Sequence, residues 1–461
     1  MKNIIENLKD GFNEINLKIN LKDLSEDSLR FSISGESFFI SLFVYREDKI
    51  MGSITANRDA ERFMAVDMEK SSNGFKNLED GDYRIAYLLY KSGDVLLKIE
   101  EAKSPIDSKG EIEIEKDEVK CRKESWYAGD FHTHTLYSDG KLSPEENIEV
   151  AKKRGLDFFS PTDHNFNQTK FPDTDLLIIE GTEITSKFGH VNVFFTNESV
   201  FEKHSVKGLN TEDWLLEVLR ELRGEVYSIN HPFMETYEFL VGDYYLEDLK
   251  FMEIINDPTY MTSLDAMEKA LRAWDILLQN GYVVYGLGGS DSHLYPYEKY
   301  EKADYPSLLG DPKTFVFAKN LSKDEIKKAM LDGKISVSRE NLLDLKKIGD
   351  SKFSMNLEEN TFHGKKLHIE LIVDGEVYKT CENSLQAKLN FDGNYHYVRT
   401  NVRCEDGELY GFTNPHFYNL DKSQKKIKTW KELQDLLWLR QFYLTKTEPY
   451  WNFQIFGWTQ L

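Results

Sequence analysis

The chain has 461 residues, 40% of them apolar and 30% charged, with 58 Lys and Arg against 79 Asp and Glu and a formal net charge of −21. This is a globular composition with room for roughly three domains of about 150 residues each. The acid excess repels a phosphate backbone and argues against binding a nucleic-acid duplex. Cys121, Cys381 and Cys404 are too few and too dispersed for a disulfide framework or a zinc ribbon. No apolar run reaches the ~20 residues of a membrane span, and the first residues lack a signal-peptide core, so no membrane association and a cytoplasmic location are the expectations.

Residues 1–125 read as a β-rich N-terminal domain, a sandwich, with a helix possible in the first ~25 residues. Phe38 to Tyr45 is an aromatic and β-branched run, and Tyr83 to Glu100 is two apolar runs around Ser92-Gly93-Asp94, which predicts a hairpin. Lys103 to Lys123 is charge-dense and low in bulk, partly a linker. From 126 to 345 strands alternate with helices. Ser143-Pro144-Glu145-Glu146 is a capping box with Pro at the first helical position, opening a helix to about Arg154. Short strands are predicted at Leu156 to Pro161, Leu176 to Ile184, Val191 to Phe195, Glu225 to Ile229, Phe251 to Ile255 and Tyr282 to Leu287. Helices are predicted near 211–223, 262–280 and 322–332. That alternation argues for a parallel α/β barrel or wound sheet. Residues 346–461 read as a β-rich C-terminal domain. Asp374-Gly375 and Asp406-Gly407 lie between alternating runs, and Thr429 with Glu432 caps a terminal helix whose stripe is Trp430, Leu433, Leu437 and Leu444.

Seven of the eleven histidines fall between 132 and 293, six of them beside carboxylates at strand ends. His132 and His134 are two apart, so on a strand they face the same side and can share one cation. Asp139 follows in a turn. His164, Glu183, His190, His231, Asp291 and His293 come from successive strand ends, the rim where α/β barrels build their sites. Histidine and carboxylate without cysteine suit zinc, manganese or iron. We expect two or three such divalent ions in a catalytic centre. Ions that outnumber the charge of their carboxylates favour an anionic, phosphorylated small molecule.

Taken together, FHTHTLYSDG, PTDHN, EGTEIT followed by GH, NHP and GSDSH resemble, in that order, the PHP (polymerase and histidinol phosphatase) family over about residues 128–345. The stretch Lys313 to Arg339 is similar, more loosely, to its carbaryl-hydrolase-like branch. The resemblance implies a multidomain protein whose central domain is a distorted (β/α)7 barrel between sandwich-like flanks. It implies a first metal on His132, His134, Glu183 and Asp291, a second bridged by Glu183 and bound by His190 and His231, and a third on Asp139, His164 and His293. It also implies hydrolysis by a metal-bridged hydroxide, with Glu183 and Asp291 central. Lys187 is a candidate phosphate clamp, with Arg339, Tyr295 and Asn165 as candidate substrate contacts. Ser338-Arg339-Glu340 departs from the Ser-x-Gly-Pro ending of the family, and no histidine is left over to protonate a leaving group.

The first reading is therefore a phosphoesterase of a small molecule, as a phosphomonoester or phosphodiester. The alternative is a carboxylic ester or carbamate hydrolase on the same centre, and a third reading is a non-catalytic binding protein. Residues 238–247, with Tyr244 and Tyr245, are expected to form an exposed aromatic loop over the pocket or a partner. The sequence leaves the oligomeric state open.

Overall fold

In the computed structural model, residues 4–91, 94–106, 111–114, 117–196 and 198–437 are described. The N-terminal region is two four-stranded antiparallel sheets. One carries Ile4–Asn7, Val95–Ala102, Ser28–Gly35 and Ala60–Ala65 in spatial order, the other Gly11–Ile19, Gly81–Lys91, Phe39–Arg46 and Lys49–Ala56. Alternate residues from the two sheets, among them Leu29, Phe31 and Ile33 facing Ile40, Leu42 and Val44, form a shared core. From Ile4 to Asp23 the described residues form strands and a 3-10 turn, Leu21–Asp23, in place of a helix.

Strand Phe39–Arg46 is largely apolar, Ser41 and Arg46 excepted, because both its faces are buried. Phe43 and Tyr45 turn away from the sandwich core, and Phe43 packs on Phe201 with ring centroids 4.3 Å apart. The predicted hairpin around 92–94 is not formed. Gly81–Lys91 and Val95–Ala102 enter opposite sheets, where each pairs with more distant strands. Ser92 and Gly93, between them, lie outside the described residues.

In the central region Ser125–Thr133 pairs in parallel with Phe158–Pro161, which pairs in parallel with Leu177–Ile178. On its other side it pairs antiparallel with Lys313–Ala318, followed by Ile335–Ser338. A second sheet orders Gly181–Ser186, Gly189–Phe194, Val226–Ile229, Phe251–Asn256 and Tyr285–Gly289. Isolated bridges Thr133–Ser292 and His164–Glu183 join the two sheets. The architecture is multidomain and strand-rich, and a (β/α)7 barrel is not evident in it. One reason is local: only two residues, Lys187 and Phe188, separate Gly181–Ser186 from Gly189–Phe194. A parallel crossover needs a dozen or more residues, so this pair is antiparallel.

The helices form close to their predicted positions: Pro144–Lys153, Glu212–Glu221, Ser263–Gln279 and Lys323–Leu331. Ser143 and Glu146 make the reciprocal capping bonds. No helix among the described residues is long and apolar enough to cross a membrane.

The sheet continues past residue 345, because Ile335–Ser338 pairs with Leu409–Thr413 and then His396–Cys404 and Lys365–Val373 follow. Asp374 and Gly375 both adopt positive φ, the geometry of a tight hairpin. The last helix spans 430–437 of the described residues, capped by Thr429 and Glu432. Leu444 of its predicted stripe lies outside them.

The loop at 238–247 is not an exposed aromatic flap. Phe239 and Tyr244 are buried, Trp430 packs edge-on against Phe239 at 5.0 Å, and its indole N–H donates to the Phe239 carbonyl at 2.9 Å. The terminal helix supplies that cover, and Tyr245 alone of the two tyrosines stays half exposed.

Candidate metal centre

Six of the nine predicted ligands, Asp139, His164, His190, His231, Asp291 and His293, line one cavity, and His132, His134 and Glu183 lie buried against them. His132 and His134 stand at the end of strand Ser125–Thr133, Glu183 on Gly181–Ser186, His190 on Gly189–Phe194, and the others in the loops that follow their strands. Ligand atoms of His134, Asp139, His164 and His293 lie within 4.8 Å of one another. The same limit holds for His132, His231 and Asp291, for His132, His134 and Glu183, and for His164, Glu183 and His190. Asp139, His164 and His293 group as the resemblance implies, whereas His231 groups with His132 and Asp291. Backbone conformation is strained around this rim: His231, Asp257, Asp291 and Asn165 all have positive φ.

Glu183 is the hub. Its carboxylate lies 3.3 Å from His132 Nε2, 3.1 Å from His190 Nδ1 and 3.5 Å from His231 Nε2, and it accepts a hydrogen bond from Asn230 at 2.9 Å. Asp291 Oδ1 lies 2.9 Å from His134 Nε2, and Asp139 Oδ1 lies 3.1 Å from His293 Nε2. Yet His132 Nε2, His134 Nε2, Asp139 Oδ1 and Glu183 Oε2 are buried without a hydrogen-bond partner among the described residues. Lone pairs crowded together, out of alignment and orphaned by burial are costly unless a cation lies among them. The donor set therefore fits divalent metal ions.

Supporting groups orient the ligands. His132 Nδ1 lies 2.8 Å from Glu253, which leaves Nε2 for the centre, and the same Glu253 accepts the His231 backbone N–H at 2.9 Å. His293 Nδ1 is fixed at 2.7 Å from the Asp291 carbonyl. Asp163 accepts from Thr135, Ser138 and Gln168 at 2.6–2.8 Å and so clamps the loop that carries Asp139.

Electrostatics follow from the crowding. Burial opposes the charge of Glu183, but His132, His164 and His190 outweigh it and hold the carboxyl well below its usual range. Asp139 and Asp291 are held low in the same way by surrounding histidines. Burial, with His293 and His164 nearby, pushes His134 down to about 4, which keeps it neutral and able to ligate.

Glu253, Asp163 and Asn230 escaped the sequence reading. The available signal was a carboxylate inside an otherwise apolar strand, Phe251–Asn256, where a buried Glu needs a partner. Lys187 lines the cavity and is exposed. Arg339 does not line it: the side chain is buried, bidentate to Asp311 at 2.9 Å and paired with Glu408 at 2.5 Å. Its expected substrate contact is replaced by a structural ion pair that joins the central sheet to the C-terminal strands. Tyr295 stacks on Tyr297 outside the cavity wall. Asn165 is buried and bonds Ser41, Tyr90 and Thr185, fastening the N-terminal sandwich to the centre.

No family model matches the chain. An uncharacterized protein of Methanocaldococcus jannaschii, MJ1587, is 28% identical over 144 residues, which cover 28% of this chain and 80% of that protein. Among solved structures, a two-domain Bacteroides vulgatus protein containing a predicted PHP-like metal-dependent phosphoesterase is 18% identical. That match covers 64% of this chain and 98% of that one with a TM-score of 0.36. An amidohydrolase from Chromobacterium violaceum is 14% identical, covering 39% and 92% with a TM-score of 0.23. Scores this low leave fold and function to be argued from the chain's own residues.

Proposed function

We propose that the chain is a metal-dependent hydrolase of PHP type and, within that class, a phosphoesterase acting on a small anionic molecule. The observation that carries this is the clustering of nine His, Asp and Glu donors, several of them orphaned by burial, six lining one cavity and three buried against those six. His132, His134, Glu183, His190, His231 and Asp291 would hold two ions, and Asp139, His164 and His293 a third. When bound, these ions supply an activated water nucleophile and neutralise charge on the phosphoryl oxygens.

The chain's own contribution is orientation and exclusion. Glu253 and Asp163 fix the ligand geometry, the sandwich closes one wall, and Lys187, on the turn between Gly181–Ser186 and Gly189–Phe194, lines the cavity as the cation that would meet an ester oxygen. The carboxylic ester or carbamate reading retains support from a single feature: among the described residues lining the cavity, Lys187 is the one cation besides the histidines.

The test is hydrolysis of matched aryl phosphate monoester, diester and carboxylic ester by manganese-loaded protein, with His132→Ala as control. Phosphoester turnover that disappears in the variant is the expected result. Turnover of the carboxylic ester alone selects the second reading. Full retention of metal and thermal stability with no turnover of any ester selects a binding protein.

A further inference from the structure

The cavity over the donors has a volume of about 770 Å³. That lies well inside the range of about 300–1,000 Å³ that encloses a whole organic ligand, far more than a phosphoryl group fills. Much of the rest of its wall is aromatic. Phe39 and Tyr90 come from the N-terminal sandwich and pack together at 5.2 Å, and the Phe39 ring stands edge-on to His164 at 5.8 Å. Tyr237 packs over His190 at 5.7 Å and His231 at 6.1 Å. Tyr260 and Tyr300 meet edge to face at 5.2 Å. Tyr90 is pinned by Asn165, whose amide donates to its hydroxyl at 3.4 Å.

Charge narrows the ligand further. Besides its histidines, the described lining carries Lys187 and the carboxylates of Asp139, Asp257 and Asp291, and no arginine. Once a first anionic group sits at the metal donors, a second would find one exposed lysine and a buried Asp257. Planar π-systems, by contrast, find offset and edge partners at each side of the donors.

Resting on the hydrolase reading above, we propose that the substrate carries a single anionic ester group and a flat unsaturated ring, and that Phe39 and Tyr237 select the ring. The N-terminal sandwich is then part of the active site. No group is transferred in this step beyond the ester cleavage already described.

The test uses the full-length, manganese-loaded protein with benzyl and butyl phosphates as substrates. Both leaving groups are simple alkoxides, so a difference reports on ring binding. The matching benzyl and butyl phosphonates, which cannot be hydrolysed, are measured by calorimetry. We expect benzyl to exceed butyl by about tenfold or more in both kcat/KM and affinity. That ratio should fall to about threefold or less in Phe39→Ala and in Tyr237→Ala; Tyr237 is 43% exposed, so the second variant spares the core. A para-carboxylate on the benzyl phosphonate should weaken binding by about fivefold or more.

Equal handling of benzyl and butyl esters overturns the proposal and leaves the hydrolase reading standing, as does a benzyl preference that neither variant alters. Tighter binding of the para-carboxylate overturns the single-anion claim. If neither phosphate is turned over, the phosphoesterase reading fails, and the phosphonate affinities still decide the ring preference.

Discussion

Glu253 and His132 share a contact of 2.8 Å directly above Gly289, where a Cβ would lie 2.4 Å from Glu253 Oε1 and 2.4 Å from the His132 Cβ. The missing side chain at Gly289 is what lets two strands bring a carboxylate behind an imidazole that is a candidate metal ligand. Glu253 thereby sets the tautomer of His132. Glu253→Gln should weaken metal affinity by about 10–100-fold while the protein stays folded. Chelator competition followed by metal analysis reads this directly, and unchanged affinity would reduce Glu253 to a packing role.

Arg339 tests the corrected assignment. It is 1% exposed and held by Asp311 and Glu408, with the Phe362 ring 4.7 Å from its guanidinium. Removing one partner of a buried ion pair strands the opposite charges and costs about 3–5 kcal/mol. Arg339→Ala should lose stability of that order in denaturant unfolding, while the folded fraction keeps its kcat. A selective rise in KM at full stability would return Arg339 to the substrate.

Asp257 predicts a pH dependence. Burial raises its carboxyl to about 7, and Asp291 adds to the rise against the opposing hydrogen bond from Thr259. The folded state therefore holds a proton that the unfolded chain releases near 3.8. Stability from this group is intact below pH 3.8, declines as pH rises, and levels off above about 7. In metal-free protein, Asp257→Asn should gain stability at pH 8, up to about 4 kcal/mol by linkage, and gain little at pH 4. The same gain at both pH values would mean that ionisation is not the cause.

Trp430 anchors the 238–247 loop from the terminal helix. Trp430→Ala should cost about 3–5 kcal/mol, the range for a large buried aromatic. Tyr245→Ala, at a half-exposed position, should change stability by about 0.5 kcal/mol or less. Thermal melts of the two variants separate a packed loop from a mobile flap, since a flap would make both changes mild.

Much of the centre was legible because its ligands are rare residue types at the ends of short apolar strands. His132, His134, Glu183 and Asp291 can be picked out with no knowledge of the pairing. Arg339 could not be read this way. Its neighbours Asp311 and Glu408 lie 28 and 69 residues away in the chain, and nothing local distinguishes a buried ion pair from a substrate contact. The segment at 92–94 misled for a similar reason, since a turn between two apolar runs looks alike whether the strands pair or cross between layers.

Local chemistry thus settled what depends on a few consecutive residues: the capping boxes at Ser143 and Thr429, the turn at Asp374-Gly375 and the strand periodicity; it also picked out the candidate metal donors. Tertiary packing decided which strands pair, which face of Phe39–Arg46 meets the central region, whether Tyr244 is covered, and which side chains line the cavity. Those outcomes are long-range. They turn on burial and on partners far apart in the chain, so the same residue types serve as ligand, ion pair or core according to what the fold brings beside them.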